Sequence, residues 1–458
     1  MRKILKNKNA LGFRELEISK IFNLMLSGES CSIVGIGSVG KSNLLRLLQQ
    51  EDVRRAKLGD EWSKFQFVYI DANKLLQQSD WGLFELMLHQ LLTELSRKEI
   101  DSEILKIVDE LYHRAAESAT QHLALRYLDR AVSTICGRLG FRLVFFFDEF
   151  DNLCRTLPSQ TFAALRALRD DNKYFLMYVV ATRIDLQRLG DGKTDIESFE
   201  ELVTPNTIWF MAYSEDDARL MLHRLAERHH VEMMNEADIR KILSKTGGHP
   251  GLMRAAFGIA YKQSANLDDL KATNKQVQDE CQRIWHSLAE DEQMALANLV
   301  SDGKHNVTPP EMMERLRVKG LVGGSWAKPN KIFSTLLADY ILSQNPMIGA
   351  HIYIDRKKRI VFVDDRAIEG LALLEYKLIE FLDGRRQQVV TRDEIIAYLY
   401  PDAKVADGIS DNRIDSIVKR LRKVIEPDPN HPRFILTMRG HGLVLVDGTP
   451  TENKETSK

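Results

Sequence analysis

Five short apolar runs mark the first half of the chain, at 31–35, 65–70, 143–147, 175–181 and 208–211. Each is continuous rather than alternating and rich in Val, Ile, Phe and Tyr, the pattern of a strand buried on both faces. Amphipathic stretches at 81–95 and 104–135 lie between them and predict helices. Strand alternating with helix predicts a parallel α/β sheet. After Ser214 the strand signal fades, and 215–228, 236–245 and 251–264 read as helices, a helical lid on the α/β core. Ser214 is a good N-cap, and Glu215, Asp216 and Asp217 place acids in the first turn, where the helix dipole favours them.

Helical periods recur at 275–288, 290–300 and 310–319, then come a Gly-containing stretch at 321–326 and a closing period at 332–342. Helices followed by a short ribbon predict a winged helix. From 349 the pattern changes again. Alternating segments at 351–355 and 359–364, around Arg356-Lys357-Lys358, predict two strands. Helices are predicted at 373–383, 392–400 and 411–425, and two short strands at 433–437 and 443–446 flank Arg439-Gly440-His441-Gly442. The expected domains are an α/β core at 1–213, a lid at 214–266, a winged helix at 267–346 and a second winged helix at 349–447, with a disordered polar tail at 448–458.

At 458 residues and 44% apolar, the chain has material for two to three cores. A net charge of −1 means that any basic footprint for nucleic acid is local. Four cysteines, Cys31, Cys136, Cys154 and Cys281, lack metal-ligand spacing and suit a reducing compartment. The basic N-terminus has no apolar segment after it and does not read as a signal peptide. No apolar run approaches the roughly 18–20 residues that span a bilayer. A cytoplasmic protein without a membrane partner is expected.

The candidate chemistry starts at the first strand. Gly35-Ile36-Gly37-Ser38-Val39-Gly40-Lys41-Ser42 matches the Walker A pattern G-x-x-x-x-G-K-[ST] between an apolar run and an amphipathic period. Glycines let backbone N–H groups converge on phosphate, and the following helix adds its positive end. Lys41 would reach the β- and γ-phosphates of ATP or ADP, and Ser42 would ligate Mg²⁺. Asp148 and Glu149 end the 143–147 strand in the manner of a Walker B pair. Asp148 would hold Mg²⁺ and Glu149 would polarise the attacking water. Thr182 and Arg183 end the next strand. Thr182 would sense the γ-phosphate or lytic water, and Arg183 would meet a phosphate or a neighbouring subunit; an ordinary strand-end Thr and Arg is the competing account. Gly247-Gly248-His249-Pro250-Gly251 sits between two helices, where plain helix punctuation competes with a role near the nucleotide.

In that order these features resemble an AAA+-type ATPase of the STAND class, close to the origin-recognition initiator branch, from about residue 10 to 345. The resemblance includes Gly12-Phe13-Arg14-Glu15 with Glu17, where the family holds adenine, although Phe13 interrupts the family's G-R-E order. It implies that His249 and Pro250 belong to a lid motif near the nucleotide. It also implies that the 288–322 stretch belongs to a winged helix that packs on the ATPase and helps hold an ADP-bound closed state. Arg166 and Arg169 are candidates for an arginine finger by position alone; a solubilising surface role is the simpler account of each.

Residues 349–446 resemble the output domain of OmpR/PhoB-type response regulators, on the stretches 373–382, 389–396, 412–423 and 437–443. The residues alone give a similar picture. In the 411–425 helix, Ile414, Ile417, Val418, Leu421 and Ile425 form one apolar face. Asn412, Arg413, Ser416, Lys419, Arg420 and Lys423 fall on the remaining surface, and Arg439 and His441 sit in the Gly-bounded ribbon. Double-stranded DNA is the expected partner of these groups, with the helix in a major groove. A solvated helix face, partly offset by Asp411 and Asp415, competes with that account. Ile417 is apolar where the family often has a polar base-reading residue.

The ATPase segment stands where the family has a receiver, so a nucleotide-dependent conformational change is the expected input. The combination implies an ATP-binding, slowly hydrolysing, nucleotide-switched transcription regulator. A nucleotide-dependent homo-oligomer and an unidentified protein or ligand signal are the further partners it allows. A DNA-remodelling or loading ATPase, and a defence-type STAND sensor with a protein partner, are the alternative readings.

Overall fold

The computed structural model describes residues 12–75, 78–97, 101–118, 121–189, 196–231, 234–262, 266–300, 308–323, 331–344, 352–355, 359–363, 366–368, 370–386, 388–401, 411–426, 429–430, 432, 434–438 and 440–446. The predicted turn at 356–358 and the tail at 448–458 lie outside them. The chain divides into two compact units, Met1–Gln293 with Pro309–Tyr340, and Met294–Thr308 with Ile341–Lys458.

The first unit is built on strands β1 (Cys31–Val34), β2 (Phe65–Asp71), β3 (Arg142–Asp148), β4 (Leu176–Thr182) and β5 (Thr207–Trp209). They form one parallel sheet in the order β2-β3-β4-β1-β5. Every residue of β1 and β4 is buried, which is why these runs read as unbroken apolar segments. Alternate side chains of β3 serve opposite faces. Phe145 and Phe147 join Tyr178, Phe150, Phe162 and Phe199 in an aromatic layer, with Phe150 stacked on Phe199 at 5.1 Å. Phe146 meets Phe67 edge to face on the other side.

The strand ends matter for function. Val34 pairs with Thr182 and with Trp209, and Asp71 pairs with Asp148. The residues that follow β1, β3, β4 and β5 therefore emerge along one edge. Because β1 lies between β4 and β5, that edge contains the point where strand order reverses, the usual ligand crevice of an open α/β sheet.

The single helical stretch expected at 104–135 is two helices, Ser102–Glu117 and Gln121–Ser133, followed by a π-turn at Thr134–Arg138. Ser118 leaves helical geometry at φ −79°, ψ 112°. One continuous helix would run about 48 Å, well past the sheet. Folding back instead buries Val108, Leu111 and Ala115 with Ala124, Leu128 and Ala131 in one core.

The stretch expected to form a lid holds helices Glu215–Arg228, Glu236–Thr246 and Pro250–Phe257. Ser214 caps the first by accepting the Asp217 N–H at 3.2 Å, as expected, and Asn235 caps the second through Asp238 N–H at 2.7 Å. Helices Lys275–Trp285, Glu290–Val300, Pro310–Val318 and Thr335–Gln344 follow, with Val322 bridged to Ile332. A buried pair, Lys319 with Glu292, anchors this part, and Arg188 of the α/β core grips Asp291 through two 2.7 Å hydrogen bonds.

The second unit has an antiparallel sheet of β6 (Ile352–Asp355), β7 (Ile360–Val363) and β8 (Arg366–Ile368). Three helices follow, Leu373–Asp383, Arg392–Leu399 and Asp411–Ile425, then a hairpin of β9 (Ile435–Met438) and β10 (Gly442–Leu445). β8 gave no sequence signal because Arg366-Ala367-Ile368 is too short for alternation to register. The core joins Val361 and Val363 to Leu378, Leu382, Leu421 and Phe434.

Candidate functional site

The phosphate loop is shaped by close approach. Gly40 takes φ 107°, a conformation open to glycine, and passes the chain into helix Lys41–Leu48. A Cβ at Gly37 would stand 2.5 Å from the Arg283 carbonyl. Among the described residues no side chain caps the helix start, the arrangement in which leading N–H groups can meet an anion. Ile36 and Val39 are buried beneath the loop. Lys41 is buried too, and donates to the Gly35 carbonyl at 2.6 Å and the Ile36 carbonyl at 3.2 Å. Burial brings its pKa down to about 8, against the pull of Glu149 and Asp151. A buried ammonium whose partners here are neutral carbonyls is the group that gains most from an arriving polyphosphate.

Behind the loop, Asp148 is held at both carboxylate oxygens. Oδ1 accepts the Glu149 N–H at 3.1 Å and Oδ2 accepts the Tyr69 hydroxyl at 2.5 Å. Glu149 sits in the left-handed region at φ 55° and pairs with Arg183 at 2.5 Å. Burial pushes the Glu149 pKa up, although Arg183 pulls the other way. Among the described residues, two groups nearby are buried without a hydrogen-bond partner: the Thr182 hydroxyl and both oxygens of Asp151, which has Arg155 3.9 Å away. Unpartnered buried oxygens beside a lysine and two further carboxylates suit a site that takes hydrated Mg²⁺ and a nucleotide. Sequence reasoning named Thr182 but not Asp151 or Tyr69. Asp151 lies two residues after the Walker B pair, and that spacing was its one available signal.

Two adjoining cavities complete the site. One of about 650 Å³ is lined by Lys41, Ser42, Glu149 and Arg183. The other, about 800 Å³, lies between the Phe13-Arg14 segment and the lid residues Met221, Arg224 and Leu225. Gly40, Asn43 and Arg254 line both. Arg254, four residues into the lid helix after Pro250, is a candidate that sequence reasoning missed. Arg14, despite the altered motif order, is buried and fixed. Its guanidinium lies 4.1 Å over Phe210 and 4.5 Å over Tyr213 and donates to the Met211 carbonyl at 2.7 Å. It shapes the wall of the larger cavity.

His249 does not line either cavity. Its buried ring donates from Nε2 to the Gly37 carbonyl at 2.9 Å, and Nδ1 accepts the Leu252 N–H at 3.4 Å. Burial brings its pKa down to about 3, so the ring is neutral. His249 thus holds the phosphate loop in place, and Pro250 opens the helix behind it. Arg169 is a correction: it is buried rather than a surface group, and lies 3.3 Å from Asp170. Arg166 binds Asp170 at 2.7 Å and the Ser198 carbonyl at 2.8 Å.

In the second unit, Ile414, Ile417, Val418, Leu421 and Ile425 are buried, as their spacing predicts. Ile417 is therefore a core residue and not a replaced base reader. Arg413, Ser416, Lys419, Arg420 and Lys423 are exposed. Arg420 pairs with the buried Glu375 at 2.9 Å, and Arg413 lies 5.3 Å over the Tyr400 ring. His441 is exposed in the β9–β10 turn. The Asn412 side chain and Arg439 lie outside the described residues. Arg422, between the basic residues in sequence, is structural: it donates to the Ile435 carbonyl and to the Thr437 hydroxyl at 2.9 Å.

Residues 370–445 match the family model described as transcriptional regulatory protein, C terminal. The sensory transduction protein RegX3 of Mycobacterium tuberculosis is 33% identical over 110 residues, 24% of this chain and 44% of that protein. The chain thus spans half or less of the length of such curated relatives. Among solved structures, the ORC2 protein of Aeropyrum pernix is similar over 75% of this chain and 86% of its own, at 15% identity and a TM-score of 0.41. A Walker-type ATPase of Pyrococcus abyssi is similar over 71% of this chain and 94% of its own, at 16% identity and a TM-score of 0.47. By its Walker A loop and parallel sheet the first unit is a P-loop α/β core, and by the family match residues 370–445 are a C-terminal winged-helix DNA-binding domain of the OmpR/PhoB type. Among the described residues, no helix is long and apolar enough to cross a membrane.

Proposed function

We propose that the chain is a nucleotide-switched transcription regulator, which binds and slowly hydrolyses ATP at the edge of the β2-β3-β4-β1-β5 sheet and binds promoter DNA through helix Asp411–Ile425. The reading is carried by one observation: Lys41, Ser42, Glu149 and Arg183 line a single cavity, in a chain that also holds a transcription-regulator output domain. Lys41 exchanges the Gly35 and Ile36 carbonyls for phosphate oxygens. Ser42 and Asp148 would hold Mg²⁺, and the ion would supply neutralisation of phosphate charge. Arg183, turning toward phosphate, releases Glu149. The freed carboxylate then accepts a proton from water, a role its raised pKa favours. Until that turn occurs, the Glu149–Arg183 pair keeps hydrolysis slow, as a regulatory switch requires.

The test is fluorescence anisotropy on duplex genomic fragments with apo, ADP and non-hydrolysable ATP states of the full chain. DNA affinity that changes with nucleotide, and loses that dependence in Lys41→Ala, is the expected result. Affinity indifferent to nucleotide in the wild type would sink the switch.

A further inference from the structure

We propose that Tyr69 is a positioning residue for the Mg²⁺-holding carboxylate, fixing Asp148 through its hydroxyl and tying that carboxylate to the phosphate-loop helix through Arg46. The proposal deepens the ATP-site reading and rests on it. Tyr69 lies on β2, the strand next to β3, and its register partner is Phe146, two residues before Asp148. Its hydroxyl donates to Asp148 Oδ2 at 2.5 Å, a charge-assisted contact at the short end of the range. The Glu149 N–H already holds Oδ1. Pinned at both oxygens, the carboxylate cannot turn about its last bond. Each oxygen keeps a further lone pair for a metal-bound water.

The other side of Tyr69 faces helix Lys41–Leu48. Arg46 of that helix approaches the tyrosine hydroxyl at 3.4 Å, and its guanidinium carbon lies 5.5 Å from the ring centroid. Helix Lys41–Leu48 also carries Ser42, the other expected Mg²⁺ ligand. One side chain thus touches both elements that must keep a fixed separation for two ligands to meet one ion. Tyr69 carries no motif, and a strand tyrosine ordinarily reads as packing.

The test uses the full chain and a fluorescent ATP analogue titrated at a series of Mg²⁺ concentrations and in EDTA. Four proteins are compared: wild type, Tyr69→Phe, Asp148→Asn and the double variant. Tyr69→Phe should raise the Mg²⁺ concentration for half-maximal tightening by about tenfold and leave affinity in EDTA unchanged. In the Asp148→Asn background it should add nothing, because it acts through that carboxylate. A Mg²⁺ dependence superimposable on wild type overturns the proposal. So does an equal shift in the Asp148→Asn background, or a drop in the ligand-free melting temperature with loss of affinity in EDTA, either of which makes Tyr69 a structural strut. Absence of nucleotide binding by the wild type overturns the ATP-site reading itself, which separates the two failures.

Discussion

The two units use charge in opposite ways. In the α/β unit the charged groups around the phosphate loop are largely buried and each is held by a fixed partner: Lys41 on two carbonyls, Glu149 on the partly exposed Arg183, Asp148 under Tyr69. In the C-terminal unit Arg413, Lys419 and Lys423 stand in water on an otherwise well-packed helix. Buried groups interact strongly and with fixed geometry, so each has one role and its loss is felt at once. Exposed groups act additively and through screened fields, so each contributes a little and salt decides how much. The first arrangement suits a switch with two defined states, and the second suits graded attraction to a polyanion.

The largest effect expected from that contrast is on turnover. Glu149→Gln should lower phosphate release by about a hundredfold or more while ATP still binds, measured by a coupled phosphate assay beside nucleotide titration. Equal turnover in the variant would remove Glu149 from the chemistry. Lys41→Ala comes next, with nucleotide affinity down by about a hundredfold, as befits a desolvated charged contact. The pH dependence of nucleotide affinity is smaller. The ligand-free Lys41 pKa is about 8, so above that pH the amine is neutral and must take up a proton when polyphosphate binds. Affinity should be level between pH 7 and 8 and fall by up to about tenfold per unit above it. The ligand-free fold responds with the opposite sign. The unfolded lysine binds its proton up to about pH 10.5, so this group's contribution to stability rises with pH between those two values. Affinity that stays level through pH 9 would contradict the desolvation of Lys41 in the ligand-free protein.

Legibility in the sequence follows the same contrast. Backbone-led features were readable: the five strands, the glycine loop, and the apolar face of helix Asp411–Ile425 all announce themselves through spacing. Contacts made across the fold were not. Tyr69 reaches Asp148 from 79 residues away, and His249 reaches Gly37 from 212. No local pattern encodes such a pairing, so the brace that the His249 ring gives the loop backbone is not legible in its motif. Arg169 misled for a related reason, because the burial of one helix face depends on what packs against it. Arg422 shows the limit within a single helix. It sits among basic residues that point to solvent, yet it is bound to β9, and charge alone does not separate the two.

The smallest predicted effect tests the comparison most directly, because it sets Lys419 against its neighbour Arg420. Both are exposed and basic, and sequence treats them alike. Lys419→Ala should weaken DNA binding a few-fold, reduce the slope of log affinity against log salt by about one, and leave the melting temperature of the C-terminal unit in place. Arg420→Ala should do something different. Its partner Glu375 is buried and keeps the Ala372 N–H as one remaining donor, so the variant leaves a carboxylate short of a cation. With Arg420 itself more than half exposed, the loss is about 1 kcal/mol, well below that of a fully buried pair. That corresponds to roughly 5 °C in a domain of this size. Arg420→Ala combined with Glu375→Gln should recover most of the melting temperature, since the uncompensated charge is gone, while any DNA contact made by Arg420 stays lost. Identical behaviour of Lys419→Ala and Arg420→Ala in both assays would mean that the Glu375 pair contributes nothing. The C-terminal helix would then present a uniform basic surface, with no residue in it serving fold and DNA at once.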